Sequence, residues 1–124
     1  MKYRIRFGEP EVKELWNNLS SKFEKDLLKG DEKKKFKKLG KALTYLSSNP
    51  KHNSLSTHEI KPLSIKFGKK VWQSYLENKI PAAGRIFWVY GPGKEDITII
   101  GIEPHPEDSK RGGYETVKLS DLPE

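Results

Sequence analysis

The stretch GRIFWVYGPGKEDITIIGIEPHP, residues 84–106, carries Arg85 at its head and His105 at its far end. Between them lie two apolar runs, 86–90 and 97–102, around a turn rich in Pro, Gly and charge. A hairpin that only filled a core would need neither the guanidinium nor the imidazole. Arginine offers a planar fork of donors that fits a phosphate in two-point contact, and the same fork fits an ion pair with a carboxylate such as Glu59 or Glu103. His105, held between Pro104 and Pro106, stands where a strand end delivers a side chain to the rim of a sheet. An imidazole with an ordinary pKa of about 6.5 suits proton transfer at neutral pH, and a structural role fits a lone histidine equally well. His52 and His58 lie in a polar loop with no carboxylate or histidine at metal-ligand spacing, and read as surface loop residues.

Other chemistries find little footing. Cysteine is absent, which excludes disulfides, thiolate nucleophiles and thiolate metal sites. The sequence has no glycine-rich phosphate loop, no serine nucleophile elbow and no Asp/Glu/His cluster spaced for a metal. An enzyme built from this inventory works with basic residues, a histidine or tyrosine, and one carboxylate at most. That set fits metal-independent RNA cleavage. The 2′-hydroxyl attacks the adjacent phosphate as a base removes its proton, cations stabilise the phosphorane, and an acid protonates the leaving 5′-oxygen.

The charge points the same way. Lys and Arg number 24 against 17 acidic residues, a net charge of +7, which favours a polyanionic partner: nucleic acid, a phosphate-rich assembly or an acidic protein. KKKFKK, residues 33–38, with Lys41 beyond it, reads either as a solvated helix face or as a sequence-independent phosphate contact. No apolar run approaches the roughly 20 residues that span a bilayer, and MKYRIRF is too short and too charged for a signal peptide. The expectation is a cytoplasmic protein without membrane contact.

These side chains need a scaffold, and 124 residues suffice for one domain, 1–124, with a single core. Residues 2–7 alternate Tyr3, Ile5 and Phe7 with cations, the period of a half-buried strand. Pro10 suits a helix start, and Val12, Leu15, Trp16, Leu19, Phe23 and Leu27 recur at helical spacing. Gly30-Asp31 interrupts the pattern, and a second helix is predicted from about 32 to 47, stopped by the run ending at Pro50. A polar loop follows over about 49–57. Ile60, Leu63, Ile65 and Phe67 then read as a strand, at an edge or bulged because of Pro62. Strands are predicted at 71–77, 85–91 and 97–102, the last two apolar on both faces and therefore central. Trp72, Trp88 and Tyr90 read as core, with a base-stacking role for one of them as the alternative, and residues 107–124 as an edge strand or a tail.

The resulting β-α-α-β-β-β order, with ALTYLSSNP closing the second helix and the strands GRIFWVYG and ITIIGIEPH, resembles the RelE/ParE superfamily of type II toxin–antitoxin toxins. The resemblance covers residues 2–106. It implies an α+β fold in which a two-helix hairpin packs on a curved antiparallel sheet of four or so strands. It also implies a small toxin that cleaves mRNA on the ribosome without metal or other cofactor, silenced by a cognate antitoxin protein. Arg85 matches the arginine that contacts the scissile phosphate, and His105 a histidine or arginine of the active centre. Lys61 and Lys66, on the strand before, would line the RNA groove, and Tyr114 would stand for a tyrosine near the carboxyl end. The same fold also serves ParE-like toxins, which inhibit DNA gyrase without nuclease activity, and a degenerate member would retain antitoxin binding alone.

Overall fold

The computed structural model describes residues 2–76, 84–103 and 119–122. The alternating start becomes β1 (Arg4–Phe7), and Pro10 caps α1 (Glu11–Glu24). α1 ends before Leu27 because Asp26 takes a left-handed φ of 55°. Leu28 then enters the core while Leu27 stays exposed, so the helical stripe expected to run to Leu27 breaks one turn early. α2 (Gly30–Ser48) buries Leu39, Ala42, Leu43 and Leu46 and ends just ahead of Pro50, a position that disfavours helix. An aromatic ladder joins the pieces: Phe7 stacks on Trp16 at 4.8 Å, Trp16 meets Phe36 at 5.3 Å, and Phe36 meets Phe23 at 5.0 Å.

After a short 3-10 turn (Asn53–Leu55) come β2 (His58–Glu59), α3 (Lys61–Phe67), β3 (Trp72–Tyr75), β4 (Arg85–Tyr90) and β5 (Asp96–Glu103). α3 corrects the expected strand at 60–67. Leu63 and Phe67 sit four residues apart and both pack inward, whereas Ile65, which made the pattern look alternating, is 84% exposed. Pro62 falls in the first helical turn, where its missing N–H costs nothing, and Gly68 closes the helix at φ 91°. Lys61 and Lys66 therefore lie on a helix, not on a strand.

Among the described residues the sheet has five strands in the order β1-β5-β4-β3-β2. It is mixed: β1 runs parallel to β5, and the other three pairings are antiparallel. The expected antiparallel sheet of about four strands is corrected on both count and direction. The β1–β5 pairing joins segments about 90 residues apart, and no local signal reports its direction. β4 and β5 are central, as their doubly apolar pattern predicts.

A bulge between Phe87 and Trp88 in the β4–β5 register leaves Ile100 as the extra residue, since Trp88 faces Ile99 while Phe87 faces Gly101. Ile97, Ile99 and Ile102 consequently face the α1–α2 side with Ile86 and Trp88. Ile100 faces the other side with Phe87, Val89, Leu63 and Val71, under α3. Full burial of such side chains stabilises by about 1.5–3 kcal/mol each, so both faces contribute. Residues 119–122 add to the second layer. Ser120 N donates to Ile100 O at 2.7 Å, Glu9 and Asp121 exchange two backbone bonds of 2.9 Å, and Leu119 and Leu122 pack on the α3-side core. Among the described residues, no helix is long and apolar enough to cross a membrane.

Candidate functional site

Antiparallel pairing places residues that face one another on the same side of the sheet. Arg85 pairs with Tyr75 and, on its other side, with Glu103; Gln73 pairs with Phe87 and with His58. Arg85, Phe87, Gln73, Tyr75 and His58 thus share the face opposite the helical hairpin, at the end of the sheet where β3 leaves and β4 enters. α3 covers the rest of that face through Leu63 against Val71, Phe87, Val89 and Ile100.

Arg85 begins β4 as expected, but it does not reach into solvent: it is 6% exposed. Its Nη1 donates to Gln73 Oε1 at 3.2 Å, and its guanidinium carbon lies 5.2 Å from the centre of the Phe87 ring. Gln73 is itself 1% exposed, so an amide oxygen buried in the sheet fixes the fork's direction. A cation in this low-dielectric setting acts more strongly on a nearby anion than one in water would.

His58 Nδ1 lies 3.1 Å from Ser56 O. A carbonyl only accepts, so this bond puts the ring proton on Nδ1 and leaves the Nε2 lone pair of the neutral ring to accept a proton. The ring meets Tyr75 edge-on at 6.4 Å. The sequence places His58 in a polar loop with no metal-ligand partner, and β2, only two residues long, is too short to show alternation that would have marked it. Gln73 and Tyr75 were hidden inside a segment read only as strand. The one available clue was that WQSY would pair with RIFW, which brings Gln73 and Tyr75 beside the arginine.

Lys61 opens α3 three residues after His58 and is exposed. Lys66 sits in the last turn of α3 and lines a separate groove of about 420 Å³ with Phe67, Lys69, Leu119, Asp121 and Leu122. The structure therefore sets Arg85 and His58 on the same sheet face two strands apart, places Lys61 next to His58 in the chain, and puts Lys66 at the other end of α3. His105 and Tyr114 lie outside the described residues. Trp88 is fully buried, and Trp72 and Tyr90 are half-buried against the hairpin-side core.

A second charged group sits at the opposite end of the sheet. Asp96 accepts from Arg4 Nε at 2.9 Å, Arg4 Nη2 at 3.2 Å, Arg6 Nη1 at 3.4 Å and Gly93 N at 3.0 Å. Its hydrogen bond with Arg4, aided by Gly93 and Arg6, outweighs desolvation and holds the carboxyl below the usual carboxylate range. These bonds tie β1 to the turn before β5 and leave Asp96 no proton to give. This cluster is a structural latch.

Among the described residues, no group of three or more His, Asp or Glu is placed to hold a metal ion. Comparison with protein-family models finds no match, and neither the curated proteins nor the solved structures yield one.

Proposed function

We propose that the chain is a toxin of the RelE/ParE kind that cleaves messenger RNA on the ribosome without a metal. The observation that carries this reading is the guanidinium of Arg85, fixed by Gln73 on one sheet face, in register with Tyr75 and on the same face as His58. Strand spacing and rise put the Cα atoms of Arg85 and His58 about 12 Å apart, so their side chains can approach a single nucleotide from two sides. In this reading Arg85 stabilises the negative charge that develops on the phosphorane. His58 Nε2 takes the proton of the 2′-hydroxyl as its oxygen bonds to phosphorus. The 5′-oxygen then leaves with a proton from the second proton-transfer group, His105. Lys61 and Lys66 hold the RNA backbone, Tyr114 completes the RNA contacts, and a cognate antitoxin blocks the site. The net charge of +7 supports a partner rich in phosphate.

Primer extension on a messenger in a reconstituted translation system, with and without ribosomes, tests the proposal. Wild type should give discrete cuts only when ribosomes are present, and Arg85→Ala should give none. The burial of Arg85 favours a second reading, a non-nuclease toxin that inhibits DNA gyrase and uses the arginine only to hold its sheet. Intact messenger in every lane, with supercoiling by gyrase blocked, would establish that alternative.

A further inference from the structure

Residues 33–58 contain seven lysines, two histidines and no aspartate or glutamate. Outside this stretch the other 17 of the 24 Lys and Arg residues balance the 17 acidic ones, so the whole formal charge of +7 resides here. The stretch comprises most of α2 and the loop after it, whose Leu55 packs in the hairpin-side core, and ends at the first residue of β2, His58, which belongs instead to the Arg85 face.

Its lysines are interleaved with rings. Lys34, Lys37, Lys41 and Tyr45 follow the three-and-four spacing of one α2 face, a span of about 16 Å, and the three lysines are exposed. Lys41 Nζ lies 5.9 Å from the centre of the Tyr45 ring. Tyr45 stacks on His52 at 4.3 Å with 19° between the planes. The next residue back, Lys51, sets its Nζ 5.5 Å from the centre of the Trp72 ring. His52 Nδ1 accepts from Ser54 N at 3.1 Å, which leaves the ring proton on Nε2, a donor. Tyr45, His52 and Trp72 are each half-buried, with Trp72 also stacked on Trp88 at 6.0 Å.

Alternating cations and supported aromatic faces are what a strand of phosphates and unpaired bases requires. The cations track the backbone and the rings stack on bases. A solvated lysine face needs no rings, and an acidic peptide would leave them unused. We infer that this strip, Lys34–Lys37–Lys41–Tyr45–His52–Lys51–Trp72, binds single-stranded RNA as a second contact surface apart from the Arg85 site. It adds to the RNA reading above, and it stands or falls on binding, whereas that reading stands or falls on cutting.

The test is fluorescence anisotropy of a 5′-labelled uridine dodecamer with the full chain, without ribosomes, the oligonucleotide checked on a gel for integrity. The triple variant Lys34→Glu/Lys37→Glu/Lys41→Glu should weaken binding at least about tenfold. The milder Lys→Gln triple should flatten the log–log salt dependence by about 2, the slope expected of three lost contacts to a single strand. A control triple at exposed lysines elsewhere, Lys22→Glu/Lys25→Glu/Lys70→Glu, has the same charge change and should cost at most about threefold. An abasic backbone of equal length should bind at least about fivefold more weakly than the dodecamer, and a duplex likewise. Any of three results overturns the inference: the control triple costing as much as the strip triple, abasic or duplex probes binding as well as the single strand, or DNA of the same length binding more tightly than RNA. Loss of strip binding with cleavage intact, or cleavage lost with strip binding intact, separates this inference from the nuclease reading.

Discussion

Ser74 links the sheet core to the loop that carries Lys51 and His52. Trp88 Nε1 donates to Ser74 Oγ at 2.9 Å, Ser74 and Thr57 hydroxyls meet at 2.7 Å, and Thr57 Oγ1 donates to Pro50 O at 2.7 Å. Thr57 has one hydroxyl proton and uses it on the carbonyl, so Ser74 must donate to Thr57, and the chain runs Trp88 to Ser74 to Thr57 to Pro50. Ser74 and Trp88 are both fully buried. Ser74→Ala removes two bonds, each worth about 1 kcal/mol net, and leaves a buried indole N–H without an acceptor, for a total loss of about 2–4 kcal/mol. With about 2.1 cal/mol/K of unfolding entropy per residue over 124 residues, 1 kcal/mol corresponds to about 4 °C in Tm. Differential scanning calorimetry should therefore show Tm lower by about 8–16 °C. In a cycle with Thr57→Val, the double variant should lose about 0.5–1.5 kcal/mol less than the sum of the singles, because the two share a bond. A Ser74→Ala melting point within about 2 °C of wild type, or strictly additive losses, would refute the directed chain and the anchoring of the loop.

Three further outcomes follow from the geometry. The carboxyl of Asp96 titrates below its unfolded value, so its contribution is present above the ordinary carboxylate pKa near 4 and is lost as pH falls through the depressed one. Melting curves from pH 6 to 2 should show wild type losing stability on acidification and Asp96→Asn, already weakened at pH 6, losing less. His58→Asn should lower RNA cleavage by about 10²–10⁴-fold while leaving RNA affinity within about twofold, read by single-turnover kinetics against anisotropy. A Cβ on Gly8 would sit 2.7 Å from Ser120 Cβ and 2.9 Å from Asp121 O, so Gly8→Ala should displace residues 119–122 and expose them to protease, at a cost of about 1–3 kcal/mol.

Much of the scaffold is legible in the sequence because its signals are local. β4 and β5 are runs too apolar for anything but the centre of a sheet, and α2 carries a clean stripe closed by Pro50. The errors fall where two periods coincide or where the partner is remote. Ile60, Leu63, Ile65 and Phe67 satisfy a period of two through Leu63, Ile65 and Phe67 and a helical spacing through Leu63 and Phe67, and the exposure of Ile65 decides for the helix. The parallel pairing of β1 with β5 is written in neither strand. The site was half legible. Arg85 stood out because a charge heading an oily strand demands a reason, yet its burial depends on Gln73, a residue with no motif of its own. His58 becomes interesting only once β2 is seen to pair beside Gln73.

The central claim is that Arg85 acts on a phosphate attacked by the neighbouring 2′-hydroxyl. It is tested most directly by a messenger carrying a single 2′-deoxynucleotide at a mapped cut, translated with wild type and with Arg85→Met, which keeps an apolar stem over Phe87 and removes the charge. The account predicts that wild type spares the deoxy position while cutting the other sites. It also predicts that Arg85→Met slows every cut by about 10²–10³-fold, the usual loss for one oxyanion-stabilising donor, at an unchanged fold by circular dichroism. Cutting at the deoxy position, or an Arg85→Met protein as fast as wild type, would contradict it.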